Sequence, residues 1–97
     1  MTVYTDWSGR IREVSREAAA YLEVSAKTAV GREFPLFFAA DRLTVVTAMH
    51  ATTGGFGTPF TAVLLTGKGR KRKVRVEIDR HGTDVLEWIL HPLVTSG

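Results

Sequence analysis

The chain contains no cysteine, which removes disulfide frameworks, thiolate nucleophiles and zinc–thiolate sites at once. A chain without disulfides fits a reducing compartment. No apolar run approaches the roughly 18 residues of a membrane span, and the opening MTVYTDWSGR lacks the basic-then-apolar order of a secretory leader. A cytoplasmic location with no membrane partner is therefore expected. A global excess of one charge is also missing. Thirteen Lys and Arg stand against ten Asp and Glu, and six of the thirteen lie in GKGRKRKVRV, residues 67 to 76. The rest of the chain is slightly acidic, so the positive character is local.

What is present is an ordinary globular composition, 44% hydrophobic and 24% charged over 97 residues. Such a length buries about 60–68% of the unfolded surface and supports one core. A single domain over residues 1–97 is expected. Val3-Tyr4 and Ile11 to Val14 read as short strands around the turn Asp6-Trp7-Ser8-Gly9. Ser15 is a helix N-cap for Arg16 to Leu22, and Ser25 repeats the signal for one more turn, with Gly31 placed for a left-handed cap. Phe34 to Phe38 reads as a single turn that plugs the core. Asp41 is expected to cap the longest helix, Arg42 to about Ala51, with Leu43, Val46 and His50 on one face and Val45 and Met49 beside it.

From Pro59 the period changes to two. Phe60 to Thr66, Val74 to Asp79 and Val85 to Leu90 are strand candidates, separated by Gly67-Lys68-Gly69 and His81-Gly82-Thr83. Two short strands, several short helices and three longer antiparallel strands make an α+β fold with the helices on one sheet face.

This order resembles the PAS domain, a sensory module with a five-stranded antiparallel sheet and short helices inserted between strands two and three. Asp6-Trp7-Ser8-Gly9-Arg10-Ile11 resembles the family's acidic-x-x-Gly-x-Ile hairpin. Val14-Ser15-Arg16-Glu17-Ala18-Ala19 resembles its entry into the first helix, with Ser15 in place of the more frequent Asn. Val24-Ser25 through Val30-Gly31-Arg32 resembles the second helix and its following Gly. The likeness runs from about Val3 to Leu93. The end, Leu90-His91-Pro92-Leu93, departs from the family's Asp-x-Thr signature.

The resemblance implies a non-enzymatic module that senses or docks, with a homodimer or an attached signalling domain as partner. It also implies a small-ligand cavity between sheet and long helix, lined here by Tyr21, Phe37, Leu43, Val46, Thr47 and His50. The cofactor is unknown: without cysteine no covalent flavin adduct forms, although non-covalent flavin stays open. Haem ligation by His50 is a further reading, which the resemblance argues against because haem-binding members carry their ligand nearer the start of this helix, where residues such as Leu43 stand. His50, His81 and His91 have no metal-ligand spacing. The glycines around Phe56 and Lys68 do not open a helix after a strand, so they are turns rather than phosphate loops. Glu13 with Glu17, and Glu77 with Asp79, read as solvated carboxylates rather than acid–base pairs.

Two surfaces stand out. In Val85-Leu86-Glu87-Trp88-Ile89-Leu90 both parities are apolar, so if Leu86, Trp88 and Leu90 fill the core, Val85 and Ile89 lie outside with Val63 and Leu65. An exposed apolar patch of this kind marks a partner surface, and a homodimer is its symmetric solution. Trp7 is assigned to the same surface. The second is the basic patch Lys68, Arg70, Lys71, Arg72, Lys73 and Arg75, with Arg70 to Lys73 at or near a hairpin tip. It reads mainly as a solvated tip, and nucleic-acid phosphates are an alternative partner. Stacking platforms for single strands interleave aromatics, which this stretch lacks.

Overall fold

Alternating strands at both ends of the chain pair into one sheet. The structure, a computed structural model, describes residues 1–93. The elements are β1 (Thr2–Asp6), β2 (Ile11–Val14), α1 (Arg16–Leu22), α2 (Ala26–Ala29), a 3-10 segment (Phe34–Asp41), α3 (Arg42–Thr53), β3 (Phe60–Leu65), β4 (Lys71–His81) and β5 (Val85–Pro92). All neighbouring strands are antiparallel, in the order β2-β1-β5-β4-β3. The expected α+β, five-stranded architecture with helices between strands two and three is present.

The first hairpin is shaped by Asp6. Its Oδ1 accepts from the Ser8 N–H, the Ser8 hydroxyl and the Arg10 N–H at 2.9, 2.6 and 3.0 Å. Gly9 closes the turn at φ +92°, and a Cβ there would come within 2.9 Å of the Pro35 ring. Only glycine permits both that conformation and that approach. Ser15 caps α1 by accepting from the Ala18 N–H at 3.1 Å, and Ser25 caps α2 through the Thr28 N–H at the same distance. Gly31 takes the left-handed conformation at φ +91°.

The inner parity of the sheet is Val74, Val76 and Ile78 on β4 and Leu86, Trp88 and Leu90 on β5, all buried. The segment Phe34–Asp41, longer than one turn and kinked at Phe38, lays Phe34, Phe37 and Phe38 onto them. The edges are occupied too. Along β2 the Ile11 N–H donates to the Arg32 carbonyl and its carbonyl accepts from Gly31, both at 2.8 Å. On β3 the Val63 N–H donates to Asp41 Oδ2 at 2.8 Å. Covered edges resist pairing with stray strands.

Asp41 therefore does not cap α3 with its side chain. The face that α3 buries also differs from the expected one: it is Val45, Met49 and Thr52, while Leu43 is 81% exposed. Residues 43 and 45 are 200° apart on a helix, and both stripes carry apolar side chains. Asp41 is drawn to the β3 edge, and the kinked segment before it enters α3 in an orientation that turns the second stripe inward.

Candidate functional site

Aromatic side chains of β5 and of the segment Phe34–Asp41 pack together on the inner face of the sheet. The Trp88 ring meets Phe34 edge to face at 4.9 Å, and Phe34 meets Phe38 in the same way at 5.3 Å. The indole Nε1–H donates to Thr5 Oγ1 at 2.8 Å, and that hydroxyl donates onward to the Asp6 carbonyl, so the buried polar pair is satisfied. The residues expected to line a common chamber are scattered. Phe37 is buried against Phe34, whereas Leu43 and Thr47 face outward along an open groove with Phe60. Tyr21 is half-buried beneath the Arg72 guanidinium, 4.7 Å from its ring centre. His50 is exposed in the last turn of α3 and does not face the interior. The haem reading loses its geometry with that placement.

Val46 and His50 do share one feature, a groove of about 420 Å³ on the helical side, against the turn between β1 and β2. Trp7, Pro35, Leu36 and Met49 form its apolar wall, and Glu33 and Arg42 stand at its rim. Trp7 therefore lies here and not on the outer sheet face. Its ring, 39% exposed, is covered by Arg80 at 5.6 Å. Arg80 has inner parity at the end of β4 and also donates to the Thr53 carbonyl at 3.4 Å, where a cation suits a helix C-terminus.

The basic run is divided by strand parity. β4 begins at Lys71, so the tip is the tight turn from Thr66 to Arg70, closed by Thr66 N–H to Arg70 carbonyl at 2.8 Å. Arg70 and Arg72 turn to the helical side and approach Glu23 Oε1 at 3.4 and 3.6 Å. Thr66 Oγ1 donates to the same oxygen at 2.7 Å. That hydrogen bond is the main influence on Glu23 and lowers its pKa, aided by Arg70, Arg72 and Lys68 and opposed by burial. Glu23 is the left-handed C-cap of α1, at φ 57°. Nothing in Leu22-Glu23-Val24 signals a non-glycine left-handed position, so sequence reasoning missed the residue that ties the hairpin to the helices.

Lys71, Lys73 and Arg75 point to the other side, the outer sheet face, which the helices leave uncovered among the described residues. Lys71 stands opposite Leu65, Lys73 opposite Val63 and Arg75 opposite both Thr61 and His91. Val63, Val85 and Ile89 are half-buried there, and Leu65 is 40% exposed. The four expected aliphatic residues thus share the face, but the patch is interrupted by charge. Asp79 stands opposite Glu87, and Glu87 opposite Tyr4, whose hydroxyl donates to Glu87 Oε2 at 2.9 Å. That hydrogen bond, with burial and the charges of Glu87 and Glu13, raises the Tyr4 pKa. The described residues contain no cluster of three or more His, Asp or Glu suited to a metal ion, and no helix long and apolar enough to cross a membrane.

No family model matches the chain, and no curated protein does. Solved structures do. The PAS domain of an HTR-like protein from Haloarcula marismortui is 24% identical, with a TM-score of 0.79 over 96% of this chain and 85% of that one. A domain of a sensory box sensor histidine kinase/response regulator from Geobacter sulfurreducens is 11% identical, with a TM-score of 0.84 over 93% and 80%. The PAS domain of the RpfR quorum-sensing receptor from Cronobacter turicensis, solved in complex with BDSF, is 14% identical, with a TM-score of 0.80 over 96% and 92%.

Proposed function

We propose that this chain, which has the PAS fold, is a non-enzymatic signalling module whose working surface is the outer sheet face. The observation that carries this reading is a five-stranded sheet with its helices all on one side and Val63, Leu65, Val85 and Ile89 on the other. Aliphatic side chains on an otherwise charged face gain most when a partner removes them from water, at about 25 cal/mol per Å² of apolar area. The partner is a second copy or an attached signalling domain. Ile89→Lys tests the surface, because Ile89 is central and contributes little to the interior. Its expected result is an unchanged melting temperature with loss of self-association in analytical ultracentrifugation. Self-association unaltered in the variant removes the sheet face from the reading.

A second reading, small-molecule sensing, is favoured by the groove beside Trp7, Leu36, Val46 and His50 rather than by an interior chamber. Its volume is within the range of about 300–1,000 Å³ usual for ligand sites, and the RpfR neighbour is a ligand complex. Native mass spectrometry of the purified chain reports the outcome. Bound mass that is lost in Trp7→Ala supports the groove, and bare protein from every host removes it.

A further inference from the structure

The outward row of β4 reads Lys71, Lys73, Arg75, Glu77, Asp79, His81. Three cations are followed by two carboxylates, and the sign changes at Val76. Lys73 and Asp79 are equally far from Val76 along the strand, as are Arg75 and Glu77. Six residues of strand span about 20 Å, twice the screening length of about 10 Å at 0.1 M salt. The two ends of this row therefore cannot neutralise one another inside one chain. Arg75 and Glu77 do pair, at 3.7 Å, and His91 also reaches Glu77, at 3.2 Å. Among the described residues Lys71, Lys73, Asp79 and Glu87 form no ion pair.

The acidic end has an unfavourable neighbour of its own. Asp79 and Glu87 are cross-strand partners on the same face, and like charges in that relation repel. Glu13 extends the acidic row to β2 through Tyr4. The basic end has the complementary surplus, with Lys73 opposite an uncharged Val63 and Lys71 opposite Leu65.

We infer that the outer sheet face binds a second copy of this chain head to tail, so that Lys73 of each copy meets the carboxylates of Asp79 and Glu87 on the other. This rests on the docking reading above and names its partner and orientation. A charge row that inverts about its midpoint is complementary to itself under a two-fold axis lying in the interface across the strands. The opposite orientation, with like ends together, sets lysine against lysine and carboxylate against carboxylate. In the head-to-tail order Ile89 lies near the axis and is covered, while the charges fix the direction. Complementary charge of this kind sets orientation and association rate more than affinity.

Sedimentation equilibrium of the 97-residue chain tests this with four species: the unaltered chain, Lys73→Glu, Asp79→Lys, and the double swap in one chain. Circular dichroism melts of each establish that they fold. Each single change is expected to weaken self-association at least about tenfold. An equimolar mixture of the two single variants, and the double swap, are expected to restore it to near the unaltered value, and the unaltered dimer weakens as salt rises. A folded chain that stays monomeric at all concentrations overturns this inference and leaves the docking reading with an attached signalling domain as its partner. A dimer indifferent to both single changes overturns the head-to-tail order and leaves the docking reading standing. A mixture that associates more tightly than the unaltered chain puts like ends together and also overturns the order.

Discussion

Trp88 occupies the position where a ligand chamber between sheet and helices would open, and its indole is both packed and hydrogen-bonded. Trp88→Ala removes the edge-to-face contact with Phe34 and leaves a void beside that ring, and is expected to cost about 3–5 kcal/mol. Urea unfolding measures it, and a loss below about 1 kcal/mol would mean that the ring does not hold the interior. The same residue shows how far parity carries. Leu86, Trp88 and Leu90 alternate with Val85, Glu87 and Ile89, so the inner face was legible from the strand alone. What packs against that face was not legible, because it depends on how Phe34, Phe37 and Phe38 are delivered by a segment whose backbone is neither α-helical nor extended.

Among the elements, α3 separates what pattern reveals from what it leaves open. Its existence and limits follow from the run Arg42 to Ala51, only two residues short of the observed end. Its rotation does not, since Leu43-Val46-His50 and Val45-Met49-Thr52 are both acceptable stripes. The choice is made by Asp41, which binds the β3 edge. Leu43→Ser is accordingly expected to change stability by no more than about 0.5 kcal/mol, whereas Met49→Ala is expected to cost about 2–5 kcal/mol. Equal effects in thermal unfolding would restore the first stripe. N-capping was legible at the two short helices but not at α3: Ser15 and Ser25 cap the helices that they precede, and Ser15→Ala is expected to cost about 0.5–2 kcal/mol. The basic hairpin was legible as a strand pair but not as a divided charge, because Arg70 and Arg72 find Glu23 across 47 or more residues of chain.

For the molecule as a whole, the shifted carboxyls and phenols set the pH range of stability. Burial by itself would raise the Asp6 carboxyl, but the hydrogen bonds from Ser8 and Arg10, with Arg12 nearby, hold it below 3.8. Glu23 is held below 4.5, chiefly by Thr66. A folded-state pKa below the unfolded one gives stability that is present above the unfolded value and lost as pH falls through the folded one. Both contributions are therefore complete at neutral pH and disappear in acid, below about pH 4. The phenols act oppositely. Tyr4 is raised above 10.0 mainly by its bond to Glu87, and Tyr21 mainly by burial, against Arg72. Their contribution is complete below 10.0 and is lost as pH rises through the folded values. Melting temperature measured from pH 2 to 11 is expected to show a plateau falling at both ends. Glu23→Gln is expected to lower that plateau and flatten its acid limb, because the carboxylate that ties the β3–β4 turn to α1 no longer titrates. Tyr4→Phe is expected to flatten the alkaline limb and leave the acid limb as it was. An acid limb unchanged by Glu23→Gln would mean that Arg70 and Arg72 are solvated in solution, and the basic run would then return to the surface as one undivided patch.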